Sequence, residues 1–205
     1  MEIQRFICSN GYGTNAYLAW DAESKKAFIV DPGSPLETAA AAVEKLGLDL
    51  QYMIVTHGHG DHTGGINFFR ERFPEIKLVA NRHERKMLMD RDISGGKGGY
   101  KADIEVKDGD SLAVGPMELK FIDCPGHTPG GMSILVEKVL FSGDTLFRRS
   151  VGRTDLYGGD WETLLKTLQE KLFVLPDDTL VLPGHMDETT IGYEKRYNPF
   201  VSDTN

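Results

Sequence analysis

Apolar and polar positions alternate over short runs along most of this chain, and only a few stretches carry helical periodicity. Residues 3–8, 16–20 and 27–30 predict three strands, parted by Gly11-Tyr12-Gly13 and by Asp21-Ala22-Glu23-Ser24. Asp31-Pro32-Gly33 breaks the third run, and an alanine-rich helix over 37–46, entered through Ser34-Pro35, closes at Gly47. An apolar run at 51–55 predicts the next strand. Beyond it, 66–73 reads as helix, 77–80 as strand, and 81–90 as helix with Asn81 as its cap. Strands return at 118–122, 132–136 and 138–141. The clearest helix covers 160–172, where Asp160 is the cap and Leu164, Leu165, Leu168 and Leu172 share one stripe. A strand at 179–182 and a short helix at 191–197 complete the pattern. No linker or low-complexity segment interrupts it, so residues 1–205 are expected to form one domain of mixed α and β layers.

A chain of 205 residues with 40% hydrophobic content can bury a sizeable core, which excludes a disordered protein. The net charge of −8 gives generic nucleic-acid binding no electrostatic support. Two cysteines make no disulfide framework and fit a reducing compartment. The opening Met1-Glu2-Ile3-Gln4-Arg5 lacks the features of a signal peptide, and no apolar run approaches the ~20 residues that span a bilayer. The expectation is a cytoplasmic protein with neither a nucleic-acid nor a membrane partner, its oligomeric state open. The stretch 94–100 holds four glycines in seven residues and reads as a surface loop or a mobile flap; its spacing is not that of a phosphate-binding loop.

Candidate chemistry concentrates in Thr56-His57-Gly58-His59-Gly60-Asp61-His62, which places three of the six histidines and a carboxylate within six positions. Alternation at a strand end lets His57 and His59 face one cation, while Asp61 and His62, a turn further on, suit a second. Imidazole with carboxylate suits zinc, iron or manganese. Two more apolar runs close on the same Pro-Gly-His turn, at Pro125-Gly126-His127 and Pro183-Gly184-His185, and a third ends in Gly143-Asp144. Ligands in layered α/β architectures gather at one edge of the strands. His57, His59, Asp61, His62, His127, Asp144 and His185 are therefore expected to form one site, leaving His83 exposed. Asp31, at its own strand end, is either a carboxylate that orients a ligand histidine or an ordinary Asp-Pro-Gly turn. Cys8 and Cys124 read as small core residues, with a pocket-edge thiol at Cys124 as the alternative.

The His-x-His-x-Asp-His cluster, followed by a lone His, a Gly-Asp and a final Pro-Gly-His, resembles the metallo-β-lactamase superfamily. Gly143-Asp144-Thr145-Leu146-Phe147 and Ser150-Val151-Gly152-Arg153-Thr154-Asp155 are similar to its glyoxalase II-like branch, and the resemblance runs from about Asn15 to His185. It implies a four-layer αββα sandwich and two divalent metal ions, zinc foremost, with iron or manganese as alternatives. It places His57, His59 and His127 on one ion, Asp61, His62 and His185 on the other, and Asp144 between them. It further implies hydrolysis of a small acylglutathione-type thioester by a hydroxide held between the ions, with Asp61 as the catalytic residue that handles the proton.

Glyoxalase II enzymes carry a helical C-terminal domain that contacts glutathione. Residues 186–205 are all that follow His185 here, so a compact form is expected and glutathione recognition stays open. Arg148, Arg149, Arg153, Lys195 and Arg196 are candidate partners for an anionic substrate, and Tyr157 and Tyr193 candidate pocket residues; surface or packing roles are the alternatives. Persulfide dioxygenases also resemble the chain, including over Gly152 to Asp155, and that resemblance implies one iron on His57, His127 and Asp144. A superfamily nuclease is disfavoured by the acidic charge, and a β-lactamase by the missing export signal. A closed structural zinc site is disfavoured because seven His/Asp ligands leave positions open for water.

Overall fold

A computed structural model describes residues 1–201 of the protein. The first sheet holds β1 (Glu2–Ile7), β2 (Asn15–Trp20), β3 (Lys26–Val30), β4 (Asp49–Ile54), β5 (Lys77–Asn81) and β6 (Ile104–Val106), in that order. Its first three strands are antiparallel, and β3 to β6 run parallel. Parallel neighbours need crossovers. The helix α1 (Glu37–Leu46) supplies one, and the single turn α2 (Gly60–Thr63) with α3 (Ile66–Arg72) supplies the next.

The second sheet contains β7 (Ser111–Val114), β8 (Met117–Asp123), β9 (Met132–Val136) and β10 (Val139–Gly143). A small hairpin of β11 (Leu146–Phe147) and β12 (Ser150–Val151) follows. The chain then returns as β13 (Leu180–Pro183) and β14 (Thr189–Thr190), giving the sheet order β14-β13-β10-β9-β8-β7.

Period-2 alternation sends successive side chains to opposite faces of each sheet, which builds two cores from one strand. Leu18 of β2 joins Ile29, Met53 and Leu78 under Val43 of α1 and Phe69 of α3. Its neighbour Tyr17 turns the other way and joins Phe28, Ile54 and Val79 against Phe121, Ile134 and Phe141 of the second sheet. Leu140 and Val181 on the far face are covered by Leu164, Leu168 and Leu172 and by Ile191. Three apolar layers between four structural layers make the αββα sandwich that the resemblance implies.

The predicted helix at 81–90 is broken. Asn81 ends β5 and accepts from the His83 amide at 3.0 Å, a tight turn over Arg82–Glu84 follows, and α4 covers Arg85–Met89. A further turn, α5 (Arg91–Ser94), leads into the glycine-rich stretch. Over 160–172, Asp160 accepts from the Thr163 amide at 2.8 Å, α6 spans Trp161–Thr167, and a wider π-type turn continues to Leu172. The last helix, α7 (Ile191–Tyr197), lies where periodicity predicts it. The strands β6, β7, β11, β12 and β14 were not expected; they have two to four residues, too few for alternation to register. No helix among the described residues is long and apolar enough to cross a membrane.

Phe141 is fully buried between the sheets, edge-on to Tyr17 (centroids 5.6 Å) and Phe28 (5.8 Å). Phe141→Ala should cost about 3–5 kcal/mol of folding stability. Chemical denaturation would show it as a lower midpoint at unchanged slope.

Candidate metal centre

Strands β3 and β4 run in one direction in the first sheet, and β8, β10 and β13 share a direction in the second. Their C-terminal ends release Asp31, the segment 57–62, His127, Asp144 and His185 at one edge of the sandwich. Two backbone hydrogen bonds stitch the sheets there, Met132 N to Thr56 O at 2.9 Å and Asn15 N to Gly184 O at 2.7 Å. β4 ends at Ile54, so His57 and His59 stand in a loop beyond the strand rather than on it, and Asp61 and His62 ride on α2. A Cβ at Gly184 would collide with the Asp144 carboxylate and come within 2.7 Å of His62 Cε1, so a side chain there is incompatible with this packing.

Among the described residues, three groups have ligand atoms within 4.8 Å of one another: His57, His59 and His127; His57, His62 and Asp144; and Asp61, His62 and His185. All seven candidate ligands are therefore brought together. Asp144 lies between the two trios, with Oδ2 3.6 Å from His127 Nε2 and 3.4 Å from His185 Nε2, and Oδ1 3.3 Å from His62 Nε2.

Hydrogen bonds behind the histidines fix their tautomers. The buried Asp31, at φ 50°, accepts from Thr56 N and Thr56 Oγ1 at 2.7 Å each and from His62 Nδ1 at 3.0 Å. The one hydroxyl proton of Thr56 is thereby used, so His57 Nδ1, 3.0 Å from Oγ1, must donate. His127 Nδ1 faces the Arg153 carbonyl at 2.7 Å and must donate as well. The Nε2 atoms of His57, His62 and His127 all point inward, those of His57 and His127 as bare lone pairs. Those of His57 and His127 are 3.3 Å apart, and His59 Nδ1 is 2.9 Å from the latter. The buried His62 Nε2 faces two carboxylates, Asp144 Oδ1 at 3.3 Å and Asp61 Oδ2 at 3.5 Å. Two buried lone pairs, as at His57 and His127, do not face each other unless a cation sits between them, so this donor set fits a metal ion.

The two trios differ electrically. Burial, and then the neighbouring imidazoles, hold His57 well below its ordinary range and His59 at about 4; burial also lowers His127. Around Asp61, burial opposes ionisation, but His185, His62 and Thr14 outweigh it and bring the carboxyl to about 2. Burial likewise opposes charge on His185, yet Asp144 and Asp61 raise it to about 9, and Asp144 and Asp31 raise His62 well above its usual range. At neutral pH the first trio is neutral, whereas the second holds protons that a cation must displace.

The candidate substrate residues are placed differently. Arg153 contributes its backbone carbonyl to His127, while its guanidinium forks onto Asp155 at 2.6 and 2.7 Å. The Tyr157 hydroxyl is 2.9 Å from Lys86 Nζ at the surface. Lys195 and Arg196 are not brought to the cluster: both reach Asp177, which precedes β13, and the ligands lie beyond its other end. Arg148 lies over the Tyr193 ring, and the Arg149 amide donates to Glu194. His83 is exposed, and Cys8 and Cys124 are buried, Cys124 in the layer between the second sheet and α6. Sequence reasoning missed Thr14, whose hydroxyl donates to Asp61 Oδ2 at 2.9 Å, Asn10, which donates to the Asp61 carbonyl at 2.9 Å, and Glu84. Each is an isolated polar residue with no motif around it.

Two outcomes follow from this geometry. Asp31→Asn removes the anchor of His62 and, through Thr56, of His57, and should weaken retention of bound metal by about 10–100-fold in a chelator competition. Because protons leave only the second trio, the affinity of the weaker-binding equivalent should climb between neutral pH and about 9 if that trio binds it. Calorimetric titrations in buffers of different ionisation heat would count the protons released.

The model of the metallo-β-lactamase superfamily matches residues 9–185. Over 212 residues the chain is 34% identical to the hydroxyacylglutathione hydrolase GloC of Haemophilus influenzae, covering 98% of this chain and 99% of that protein. It is 35% identical over 195 residues to the mitochondrial persulfide dioxygenase of Homo sapiens, covering 91% of this chain and 70% of that one. The crystal structure of the B3 metallo-β-lactamase BLEG-1 matches with a TM-score of 0.91 at 34% identity, over 98% of this chain and 100% of that chain. These relatives carry different activities at nearly equal identity, so the resemblance reaches the family and stops short of the reaction. With its fold, its edge-gathered histidines and carboxylates and these matches, the chain belongs to the metallo-β-lactamase superfamily of metal-dependent enzymes.

Proposed function

We propose that this protein is a binuclear metal hydrolase of small thioesters of the acylglutathione type. In this reading His57, His59 and His127 hold one divalent cation, Asp61, His62 and His185 a second, and Asp144 lies between them; zinc is the first choice, iron or manganese the alternatives. The observation that carries it is the second trio, which has its own carboxylate, held by Thr14, and its own backed histidine, held by Asp31. Such elaborate support favours a working ion site over a remnant. The likeness to the hydroxyacylglutathione hydrolase over nearly the full length of both chains points the same way.

Two cations together supply Lewis acidity toward a carbonyl and lower the pKa of water toward neutrality. The protein's own groups do the rest. In this reading Asp61, whose Oδ2 accepts from Thr14 and lies 3.3 Å from His185 Nε2, would take a proton from the attacking water and pass it on. A thiolate leaving group needs little protonation, which suits a centre whose neutral first trio offers no acid. The Arg153 guanidinium is paired with Asp155, so an anionic carrier that used it would have to compete with that carboxylate.

A persulfide dioxygenase is the second reading, favoured by the 35% identity to such an enzyme and by the closeness of His57, His127 and Asp144. Elemental analysis of protein purified without added metal, beside assays for thioester hydrolysis, oxygen uptake on glutathione persulfide and β-lactam cleavage, decides between them. Near two metals per chain with thioester turnover is the expected result; one iron with oxygen uptake and no thioester turnover would sink the hydrolase. In the hydrolase, Asp61→Asn should lower kcat by about 100-fold or more while the first trio keeps its metal.

A further inference from the structure

The first trio comes from two segments 70 residues apart, and something must hold them at a fixed separation. Glu84, in the tight turn before α4, spans the gap. Its Oε2 accepts from the Gly58 amide and its Oε1 from the Gly130 amide, both at 2.7 Å. Gly58 lies between His57 and His59, so holding its N–H holds the backbone from which both rings project. Gly130 closes the turn that presents His127. Both glycines are pressed against this carboxylate or its turn: a Cβ at Gly58 would lie 2.6 Å from Met87 Cβ and 3.0 Å from Glu84 Oε2, and one at Gly130 would lie 2.6 Å from the Glu84 amide.

Glu84 is only 1% exposed, and no lysine or arginine among the described residues pairs with it; its titratable neighbour is His83. A buried carboxylate is costly without compensation. Here burial pushes the Glu84 carboxyl up, and the two amide donors offset part of that cost. The second trio, by contrast, has Asp61 and is backed by Asp31 and Thr14.

We propose that Glu84 is a positioning residue for the His57–His59–His127 half of the centre alone, clamping its two loops at metal-binding distance, whereas Asp31 serves both halves, His62 directly and His57 through Thr56. The inference rests on the ligand assignment above. Glu84→Gln keeps the shape but turns an amide N–H donor toward one of the two backbone donors, so one loop is released. Glu84→Asp is too short to reach both.

The test is a stepwise cobalt(II) titration of the metal-stripped full chain, followed by absorption and chelator competition, with thermal unfolding of the stripped protein alongside. Glu84→Gln should weaken one of the two equivalents by about 10–100-fold, leaving the other and the unfolding midpoint of the stripped protein nearly unchanged. Asp31→Asn should weaken both. Parallel loss of both equivalents in Glu84→Gln, or no loss, would overturn the clamp. If Glu84→Gln fails to fold, Glu84→Asp decides by the same criterion, and failure of both to fold assigns Glu84 to folding rather than positioning. Wild-type protein that takes up no cobalt would instead overturn the ligand assignment itself.

Discussion

Imidazole lone pairs aimed at one another repel, and this centre brings those of His57 and His127 to 3.3 Å beside two carboxylates. The arrangement persists because every imidazole of the set except His59 and His185 is fastened from behind by a group that can only accept: the Thr56 hydroxyl whose proton is already spent on Asp31, the Asp31 carboxylate itself, and the Arg153 carbonyl. Fixing the outer nitrogen as a donor turns the inner nitrogen toward the centre, bare at His57 and His127 and, at His62, holding a proton that a cation would displace. A cation is then the one partner that satisfies all inner atoms together, and metal affinity becomes a consequence of hydrogen bonds that never touch the metal.

The αββα sandwich serves this constraint. Tyr17 reaches from the first sheet to donate to the Pro183 carbonyl at 2.8 Å, at the end of the strand that releases His185. Asn15 donates to the Pro183 and Met186 carbonyls on either side of it. The edge of the sandwich is therefore cross-linked by polar groups where its apolar middle layer runs out, and ligands from both sheets are held in register. A slip of one residue in either sheet would invert the faces and pull ligand from ligand.

Much of this was legible in the residues. Density gave away His57, His59, Asp61 and His62, and repetition of the Pro-Gly-His turn gave away His127 and His185, because a turn that ends an apolar strand has few reasons to repeat its histidine. The long helices and strands were readable because their periodicity ran over enough positions. What stayed hidden was whatever depends on distance in space. Thr14 lies 47 residues from Asp61, and Glu84 lies 26 and 46 residues from the amides it binds, with nothing local to mark either. The guanidinium of Arg153 looked like a substrate contact in sequence, but Asp155 two residues away has claimed it, and the backbone beneath does the work for His127. Lys195 and Arg196 follow the last motif in the chain, but β14 carries the chain back along β13 to the opposite end before α7 begins.

The same geometry explains why this superfamily can carry both hydrolysis and oxidation on nearly equal sequences. With a cation on the first trio alone, the second is not inert. His185, raised to about 9 by Asp144 and Asp61, and His62, raised by Asp144 and Asp31, would keep their protons and stand in for the second cation's charge. Those imidazolium groups can attract an anionic sulfur species but cannot lower the pKa of a water shared between ions. Loading the second trio exchanges protons for a Lewis acid. The residues are identical in the two states, so it is the hydrogen-bonded support behind the second trio, more than its presence in a sequence, that favours the loaded state. What separates them is the balance between proton and metal at His62 and His185, which Asp31, Asp61 and Asp144 set and which Thr14 tunes through Asp61.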